Sequence, residues 1–248
     1  MTVSTALVLA GSRGGVDPVA AYAGVTDKAL IEIGGVTMLA RVVDALRAAG
    51  MTRILVSTTS EAVIRHARVL GTEPIAAGAG PSASARIAFA AAGAPLLVTT
   101  GDHPLLRAVW IESFLRDAPA DADVAALLAR RDSIDRDAPN TTRTYLRFAD
   151  GDWSGCNLFL LATPAAAAAL DLWERVESDR KRPWRIVLRL GIPLLVRYAL
   201  GRLTLAEGLA RIGALAGVRA ALVECESGLA AIDVDKPADL DLVRSLIA

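Results

Sequence analysis

The chain has 248 residues, with 27 basic and 27 acidic side chains, a hydrophobic content of 53% and only two cysteines. Neither a disordered chain, which would combine low hydrophobicity with high net charge, nor a basic protein that binds duplex nucleic acid fits this composition. Two cysteines cannot form a disulfide framework, and no apolar run reaches the roughly 20 residues that span a bilayer. We therefore expect one domain over residues 1–248, cytoplasmic, with reduced thiols and no nucleic-acid partner.

Short apolar runs alternate with helix-length segments in the first half of the chain. The predicted strands are Thr5–Ala10, Arg53–Thr58, Pro74–Ala77 and Pro95–Thr100. The predicted helices are Thr37–Ala49, a segment from the N-cap Ser60 to Leu70, and a segment around Ile87–Ala92 after a small-residue loop over Gly78–Ser84. This alternation is typical of a mostly parallel sheet with helices on both faces.

The second half is less regular and predicts an antiparallel addition to the parallel core. Its predicted strands are Val124–Arg130, Thr142–Phe148, Asn157–Ala162, Ala220–Glu224 and Ala230–Val234. Its predicted helices are Pro164–Glu177, a helix that begins at a capping box formed by Thr204 and Glu207, and Pro237–Ile247. Between them, Arg180–Arg202 contains seven basic and no acidic residues.

A glycine-rich loop, Gly11–Gly15, follows the first predicted strand. Its small residues let backbone N–H groups approach phosphate oxygens, and Arg13 adds a charged fork. The loop matches neither the G-x-G-x-x-G turn of dinucleotide-binding proteins nor the Walker loop, in which glycine precedes lysine and serine or threonine. It is therefore a candidate phosphate loop of another kind.

Lys28 is one of only three lysines in a chain with 24 arginines. A compact ammonium group suits a single phosphate oxygen, whereas arginine clamps two acceptors at once. We expect Lys28 to contact phosphate; an ordinary surface lysine is the alternative.

Asp102 directly follows a predicted buried strand, within the sequence Thr100–Pro104. Ligands of open α/β sheets bind beyond the carboxyl ends of the strands, and Mg²⁺ prefers carboxylate oxygens. We therefore expect Asp102 to be a magnesium ligand; capping of the next helix is the alternative. His103 has no partner visible in the sequence, so we expect a loop side chain there rather than a general base.

Several short motifs occur in one order along the chain. They are L-A-G-S-R at Leu9–Arg13, D-K-A-L at Asp27–Leu30, I-G-G-V-T-M-L at Ile33–Leu39, G-P-S at Gly80–Ser82, T-G-D-H-P at Thr100–Pro104, G-C-N at Gly155–Asn157 and I-D-V-D-K-P-A-D-L at Ile232–Leu240. Together they resemble the MobA-like NTP transferase family. The resemblance implies a three-layer α/β/α fold of the GT-A-like type, and transfer of a nucleoside monophosphate from an NTP to a phosphorylated small-molecule acceptor, with Mg²⁺ and release of pyrophosphate.

The resemblance also implies roles for individual residues. In a nucleotide-binding half, residues 1–120, Lys28 and Arg13 would hold the β and γ phosphates. The other nucleotide contacts of this half are Leu9, Ala10, Gly11, Ser12, Pro81 and Ser82. In an acceptor-binding half, residues 121–248, the G-C-N motif places Asn157 in a substrate loop. Lys181 and Arg185 are expected from the local basic charge to clamp acceptor phosphate, with a solvated face as the alternative. The metal ligands are Asp102 and Asp235, with Asp233 in reserve because residues two apart in a strand point to the same face.

The chain departs from the family pattern in two places. The first loop lacks the family's arginine, methionine and glycine and is lengthened by Val16–Thr26, so the base is left between CTP and GTP as the favoured nucleotides. The segment Arg180–Leu200 goes beyond the chain of the compact family members, which implies a different or larger acceptor. We expect this basic segment to pack or to clamp acceptor phosphate rather than to contact anionic lipid.

Two other functions remain open on the same fold. A glycosyltransferase would use a finished sugar nucleotide and usually carries a D-x-D pair, whereas here Asp102 is followed by His103 and Pro104. A non-catalytic nucleotide-binding protein would account for the altered first loop. The acceptor and the oligomeric state are left open, because a few pocket contacts decide specificity.

Overall fold

The computed structural model describes residues 2–11, 15–139, 141–178 and 191–247. Four residues with expected ligand contacts lie outside the described residues: Ser12, Arg13, Lys181 and Arg185.

The centre of the molecule is an eight-stranded sheet in the order β10-β7-β9-β6-β1-β4-β5, with β8 paired to β9. Its strands are β1 (Thr5–Leu9), β4 (Arg53–Thr58), β5 (Glu73–Ala76), β6 (Leu96–Thr100), β7 (Val124–Arg130), β8 (Leu146–Phe148), β9 (Gly151–Leu161) and β10 (Ala220–Cys225). A separate hairpin joins β2 (Glu32–Ile33) to β3 (Val36–Thr37). In the large sheet, β9 runs antiparallel to β6, β7 and β8, and the other strand pairs are parallel.

Helices cover both faces of this sheet. They are α1 (Pro18–Tyr22), α2 (Met38–Ala48), α3 (Glu61–Val69), α4 (Pro81–Ala92), α5 (Ala108–Asp117), α6 (Arg131–Asp137), α7 (Ala166–Ser178), α8 (Ile192–Ala199), α9 (Leu205–Ala216) and α10 (Pro237–Ile247). The core between the sheet and α4 with α7 is smaller than the core on the opposite face, to which α2, α3, α5 and α10 contribute. The three-layer α/β/α arrangement with a mostly parallel sheet is therefore confirmed.

Residues that favour helix N-caps in the sequence form caps in the structure. The Thr37 hydroxyl accepts a hydrogen bond from the Ala40 N–H at 3.2 Å and begins α2, and Ser60 begins α3 in the same way. The predicted capping box of Thr204 and Glu207 forms at the start of α9. Where the caps are strong, the predicted helix starts are confirmed.

The structure corrects several predicted boundaries. Helix α4 begins at Pro81, so Ser82 and Ser84 belong to its first turn rather than to a loop. Only Leu146–Phe148 of the predicted strand Thr142–Phe148 pairs with a neighbour, and β9 starts six residues earlier than predicted, at Gly151. Helices α1, α5, α6 and α8 were not predicted.

The predicted strand Ala230–Val234 is wrong. Gly228–Ala231 forms a 3₁₀ turn instead, and the residues after it pair with no strand. The reason is a close approach, since a Cβ on Gly228 would lie 2.2 Å from the Ser133 carbonyl oxygen and 2.4 Å from the Ile134 Cα. The turn is thereby packed under α6 rather than placed at the edge of the sheet. Asp233 is thus carried on a loop.

Within the part of the chain that the structure describes, no helix is long and apolar enough to cross a membrane.

The close packing at Gly228 makes a stability prediction. Replacing Gly228 by Ala should lower the free energy of unfolding by about 2–3 kcal/mol, because the new methyl group overlaps backbone atoms of α6 that have no room to move. Urea unfolding measures the effect. Gly155→Ala is the matched control, since a Cβ there meets nothing within 4 Å and the residue is not in the left-handed region. We expect it to stay within about 0.5 kcal/mol of the wild type. Equal stabilities of the two variants would contradict this packing.

Candidate functional site

The candidate site lies at the carboxyl ends of β1 and β6. The Gly101 N–H donates to the Leu9 carbonyl oxygen at 2.9 Å, which ties the residue before Asp102 to the end of β1. A Cβ on Gly101 would lie 3.3 Å from the Cβ of Ala10, so a glycine lets the two strand ends come this close. The predicted nucleotide residues Leu9, Ala10 and Gly11 are therefore beside Asp102, at the edge where open α/β sheets bind ligands.

A second segment joins this edge from the far end of the chain. The Val234 N–H donates to the Asp102 carbonyl oxygen at 2.9 Å, which docks the loop between the 3₁₀ turn and α10 onto the end of β6. The carboxylates of Asp102, Asp233 and Asp235 are thereby gathered in one place. Their charges interact, since those of Asp102 and Asp235 raise the pKa of Asp233.

Lys28 lies between two of these carboxylates. Its Nζ is 2.6 Å from Asp102 Oδ2 and 3.3 Å from Asp235 Oδ1. Burial acts to lower the pKa of Lys28, but the charges of the two carboxylates outweigh it and raise that pKa. For Asp102, burial acts to raise the pKa, and the charge and hydrogen bond of Lys28 outweigh it and lower that pKa. Both groups are therefore ionised at neutral pH.

Asp233 is held by the side chains of Arg143 and Asn157. One carboxylate oxygen is bound by Arg143, and the other accepts a hydrogen bond from Asn157 Nδ2 at 2.6 Å. Burial, together with the two neighbouring carboxylates, raises the pKa of Asp233, and Arg143 opposes that rise. Because both oxygens are engaged, the predicted reserve metal ligand serves in this structure to anchor the loop.

Sequence reasoning missed both Arg143 and the contacts of Asp239. Arg143 is 9% exposed, and its Nη1 is 3.7 Å from Asp239 Oδ1. Asp239 in turn accepts hydrogen bonds from the backbone N–H groups of Asp235 and Lys236, at 3.0 and 2.8 Å. Asp239 therefore fixes the backbone that carries Asp235. The D-L pair after the proline of the closing motif was the available signal for Asp239, whereas Arg143 carried none.

Asn157 reaches Asp233 through an irregularity in β9. Phe159 of β9 pairs with Ala126 of β7, and Gly155 of β9 pairs with Leu128 of β7. Between these two pairs β9 has more residues than β7, and its extra residues form a bulge. Asn157 has a φ of 50°, in the left-handed region that asparagine tolerates better than most residues. Bulges of this kind redirect side chains beside functional sites. The predicted acceptor residue is thus brought to the carboxylate cluster by backbone geometry.

The second nucleotide loop of the sequence analysis precedes α4. Its backbone is held by Ser84, whose hydroxyl accepts from the Gly78 N–H and donates to the Gly80 carbonyl oxygen, both at 2.9 Å. A Cβ on Gly11 would lie 3.7 Å from the Cβ of Ala77, so this loop and the end of β1 are neighbours. Pro81 and Ser82 therefore begin α4 beside the other predicted nucleotide contacts.

Glu177, at the end of α7, closes this loop and was missed by sequence reasoning. Its Oε2 accepts from the Ser82 N–H at 3.2 Å and from the Ser82 hydroxyl at 2.5 Å. A carboxylate at this position satisfies the free N–H groups at the start of α4 and interacts favourably with the helix dipole. Glu177 is 95 residues from Ser82 along the chain, so no local pattern indicates the contact.

His103 was expected to be a loop side chain, and the structure places it inside the protein. The ring is buried and stacks on Trp110, with the ring centroids 6.3 Å apart. Burial lowers its pKa to about 4. The imidazole is therefore neutral and contributes to the packing next to Asp102.

The donor set can be compared with what Mg²⁺ requires. Asp102 Oδ1 is buried and accepts no hydrogen bond from the described residues. Among those residues, no three acidic, histidine or cysteine side chains are grouped so as to hold a metal ion by themselves. Mg²⁺ is commonly held by one or two carboxylates together with substrate phosphates, so Asp102 and Asp235 fit a site that a nucleotide completes.

The contact of Glu177 with the start of α4 makes a second stability prediction. Glu177→Ala should lower the free energy of unfolding by about 1–2 kcal/mol, because two hydrogen bonds to a partly buried carboxylate are lost. Glu174→Ala, one turn earlier on α7, is the control, since Glu174 pairs with the exposed Arg86 at 3.1 Å. The control should change stability by less than about 0.5 kcal/mol in the same urea titration. If both variants lose the same amount, Glu177 does not cap α4.

Comparison with known proteins agrees with this geometry. The sequence profile described as MobA-like NTP transferase domain matches residues 6–189. A hypothetical transferase from Thermus thermophilus has a similar structure, with 31% identity, a TM-score of 0.81, and coverage of 95% of this chain and 98% of that chain. Comparison with curated proteins gave no significant match.

Two more distant structures share the fold. One is CMP:2-keto-3-deoxy-manno-octonic acid synthetase in complex with CTP, with 19% identity, a TM-score of 0.59 and 98% coverage of both chains. The other is 2-C-methyl-D-erythritol 4-phosphate cytidylyltransferase from Thermus thermophilus, with 19% identity, a TM-score of 0.55, and coverage of 99% of this chain and 98% of that chain. The chain therefore belongs to the MobA-like NTP transferase domain family and is a nucleotidyltransferase with a GT-A-like fold.

Proposed function

We propose that this enzyme transfers a cytidylyl group from CTP to a phosphorylated small-molecule acceptor, with Mg²⁺, and releases pyrophosphate. The observation that carries the proposal is the position of Lys28 between Asp102 and Asp235, at the sheet edge where nucleotides bind. One structural relative is described in complex with CTP and another is named a cytidylyltransferase, which supports CTP over GTP.

The proposed reaction needs positioning and charge more than proton transfer. An oxygen of the acceptor phosphate attacks the α-phosphorus, a new P–O bond forms, and the bond between the α-phosphorus and the bridging oxygen breaks as pyrophosphate leaves. The attacking oxygen is already anionic, so no general base is required.

Lys28 is proposed to exchange partners when the nucleotide binds. In the structure the ammonium group of Lys28 neutralises two carboxylates. A triphosphate at the same edge would present a denser negative charge to the three N–H donors of this ammonium group. Arg13 is proposed to share this phosphate role from the first loop. The end of β1 and the start of α4 are proposed to hold the base and the ribose through backbone groups. Ser82 would join them only by exchanging its hydrogen bonds to Glu177 for bonds to the nucleotide.

Asp102 and Asp235 are proposed to hold the magnesium ion. A bound Mg²⁺ would neutralise negative charge on the phosphates. The side chains of Arg143 and Asn157 keep Asp233 and its loop in place, and Asp239 fixes the backbone of Asp235. Asn157, Lys181 and Arg185 are proposed as acceptor contacts, with Asn157 near the phosphate that attacks.

Nucleotide binding tests the proposal without knowledge of the acceptor. Thermal unfolding with CTP, GTP, UTP or ATP, each with and without Mg²⁺, should show a magnesium-dependent stabilisation with CTP, of about 2.7 kcal/mol at a hundredfold excess over the dissociation constant. Lys28→Met should weaken CTP binding at least about tenfold, which corresponds to ~1.4 kcal/mol. Arg68→Met, on the exposed side of α3, should bind CTP as the wild type does. A shift with sugar nucleotides alone would instead favour a glycosyltransferase, and no shift at all would favour a non-catalytic protein.

Asp102 is the residue on which activity should depend most. Pyrophosphate release from CTP and Mg²⁺ is measured with a panel of sugar phosphates and polyol phosphates as acceptors. Asp102→Asn should lower the rate at least about a hundredfold, because a neutral amide cannot replace a carboxylate as a ligand of a hard cation. Asp44→Asn removes the same charge from an exposed position on α2 and should leave the rate unchanged. Full activity of Asp102→Asn would overturn the assignment of the metal site.

A further inference from the structure

The side of α7 that packs against α4 ends in a carboxylate. Ala166, Leu170 and Trp173 of α7 share the smaller core with apolar residues of α4. Glu177 follows Trp173 at the i, i+4 spacing, so it continues the same stripe of α7 beyond the core. An acid at a position where the stripe would otherwise carry an apolar residue requires an explanation other than packing.

Ser82 holds one oxygen of this carboxylate and leaves the other oxygen for a further contact. Glu177 Oε2 accepts from both the N–H and the hydroxyl of Ser82. Glu177 Oε1 accepts no hydrogen bond from the described residues, and it lies against Gly80, where a Cβ would overlap it. The glycine of the G-P-S motif therefore leaves room for an oriented hydrogen-bond acceptor beside the loop that precedes α4.

Charge excludes phosphate groups from this position. The start of a 12-residue helix such as α4 attracts phosphate through its free N–H groups and its dipole. Here the negative charge of Glu177 already occupies that start, so a triphosphate is repelled from α4 and attracted to Lys28. The part of a nucleotide that meets Glu177 is therefore an uncharged one.

The order of the strands favours the base over the ribose as that part. The loop that precedes α4 follows β5, whereas Asp102 follows β6, and β4 and β1 lie between these two strands. In a nucleotide the ribose is next to the phosphates and the base is farthest from them. A nucleotide with its phosphates at Lys28 and Asp102 therefore presents its base to Glu177.

We infer that Glu177 selects the base of the nucleotide, by accepting a hydrogen bond on Oε1 from the exocyclic amine of cytosine. A carboxylate can only accept hydrogen bonds, and the N4 amine of cytosine is a donor that acidic side chains bind. Uracil has a carbonyl oxygen at the same place, so two acceptors would face each other with no proton between them. The inference rests on the proposed function, because it requires that the site binds a nucleotide.

The dissociation constants of CTP and UTP, measured by calorimetric titration of the full chain with Mg²⁺, test the inference. The wild type should bind CTP at least about tenfold more tightly than UTP, because UTP leaves the carboxylate oxygen without its donor. Glu177→Gln should reduce this preference to less than about threefold, because the amide can present its NH₂ group to uracil while its oxygen still accepts from Ser82. In this variant the binding of CTP should weaken and the binding of UTP should strengthen.

Glu174→Gln is the matched control, since it removes the same charge one turn earlier on α7, where Glu174 pairs with Arg86. It should keep the wild-type preference, and thermal unfolding checks that both variants are folded. An unchanged preference in Glu177→Gln, or an equal weakening of CTP and UTP binding, would overturn the inference and leave the proposed function standing. A wild type that binds CTP and UTP equally would do the same. A wild type that binds no nucleotide would overturn the proposed function and this inference with it.

Discussion

Asp102, Asp233 and Asp235 place three carboxylates at one sheet edge, and the contacts around them offset the electrostatic repulsion between these groups. Asp102 arrives on the end of β6, and Asp233 and Asp235 arrive on a loop that is bonded to the backbone of Asp102. Like charges this close, partly out of water, are unfavourable unless cations offset them. Lys28 and Arg143 supply the two positive charges, and each reaches the cluster from a different part of the chain.

The two cations are suited to different tasks. Arg143 is almost fully buried, and its planar group contacts Asp233 and Asp239, so it holds the closing loop as part of the fold. Lys28 is more exposed and makes single contacts with Asp102 and Asp235 through one nitrogen. A compact ammonium group can change partners without breaking a bidentate pair. The arrangement therefore separates Arg143, which holds the closing loop, from Lys28, which is proposed to contact the nucleotide.

A strand bulge and two side-chain contacts complete the site on either side of the carboxylate cluster. The bulge in β9 turns Asn157 towards Asp233, and the hydroxyl of Ser84 folds the loop before α4. Glu177 then joins that loop to the end of α7, so residues from the first and second halves of the chain meet there.

The sequence by itself determined the layer architecture, most strands of the parallel core, the caps of α2, α3 and α9, and the residues Lys28, Asp102 and Asp235 of the cluster. Most of these follow from short-range patterns: a buried apolar run, a capping residue, an acid just after a strand, and a rare lysine among many arginines. Asp235 follows instead from the family's closing motif at Ile232–Leu240. Only the tertiary structure decided which of 24 arginines pairs with Asp233, that Glu177 caps α4, and that Asp233 lies on a loop. Each of these depends on groups distant in the chain that meet only after folding, and side-chain type and local spacing carry no record of such meetings.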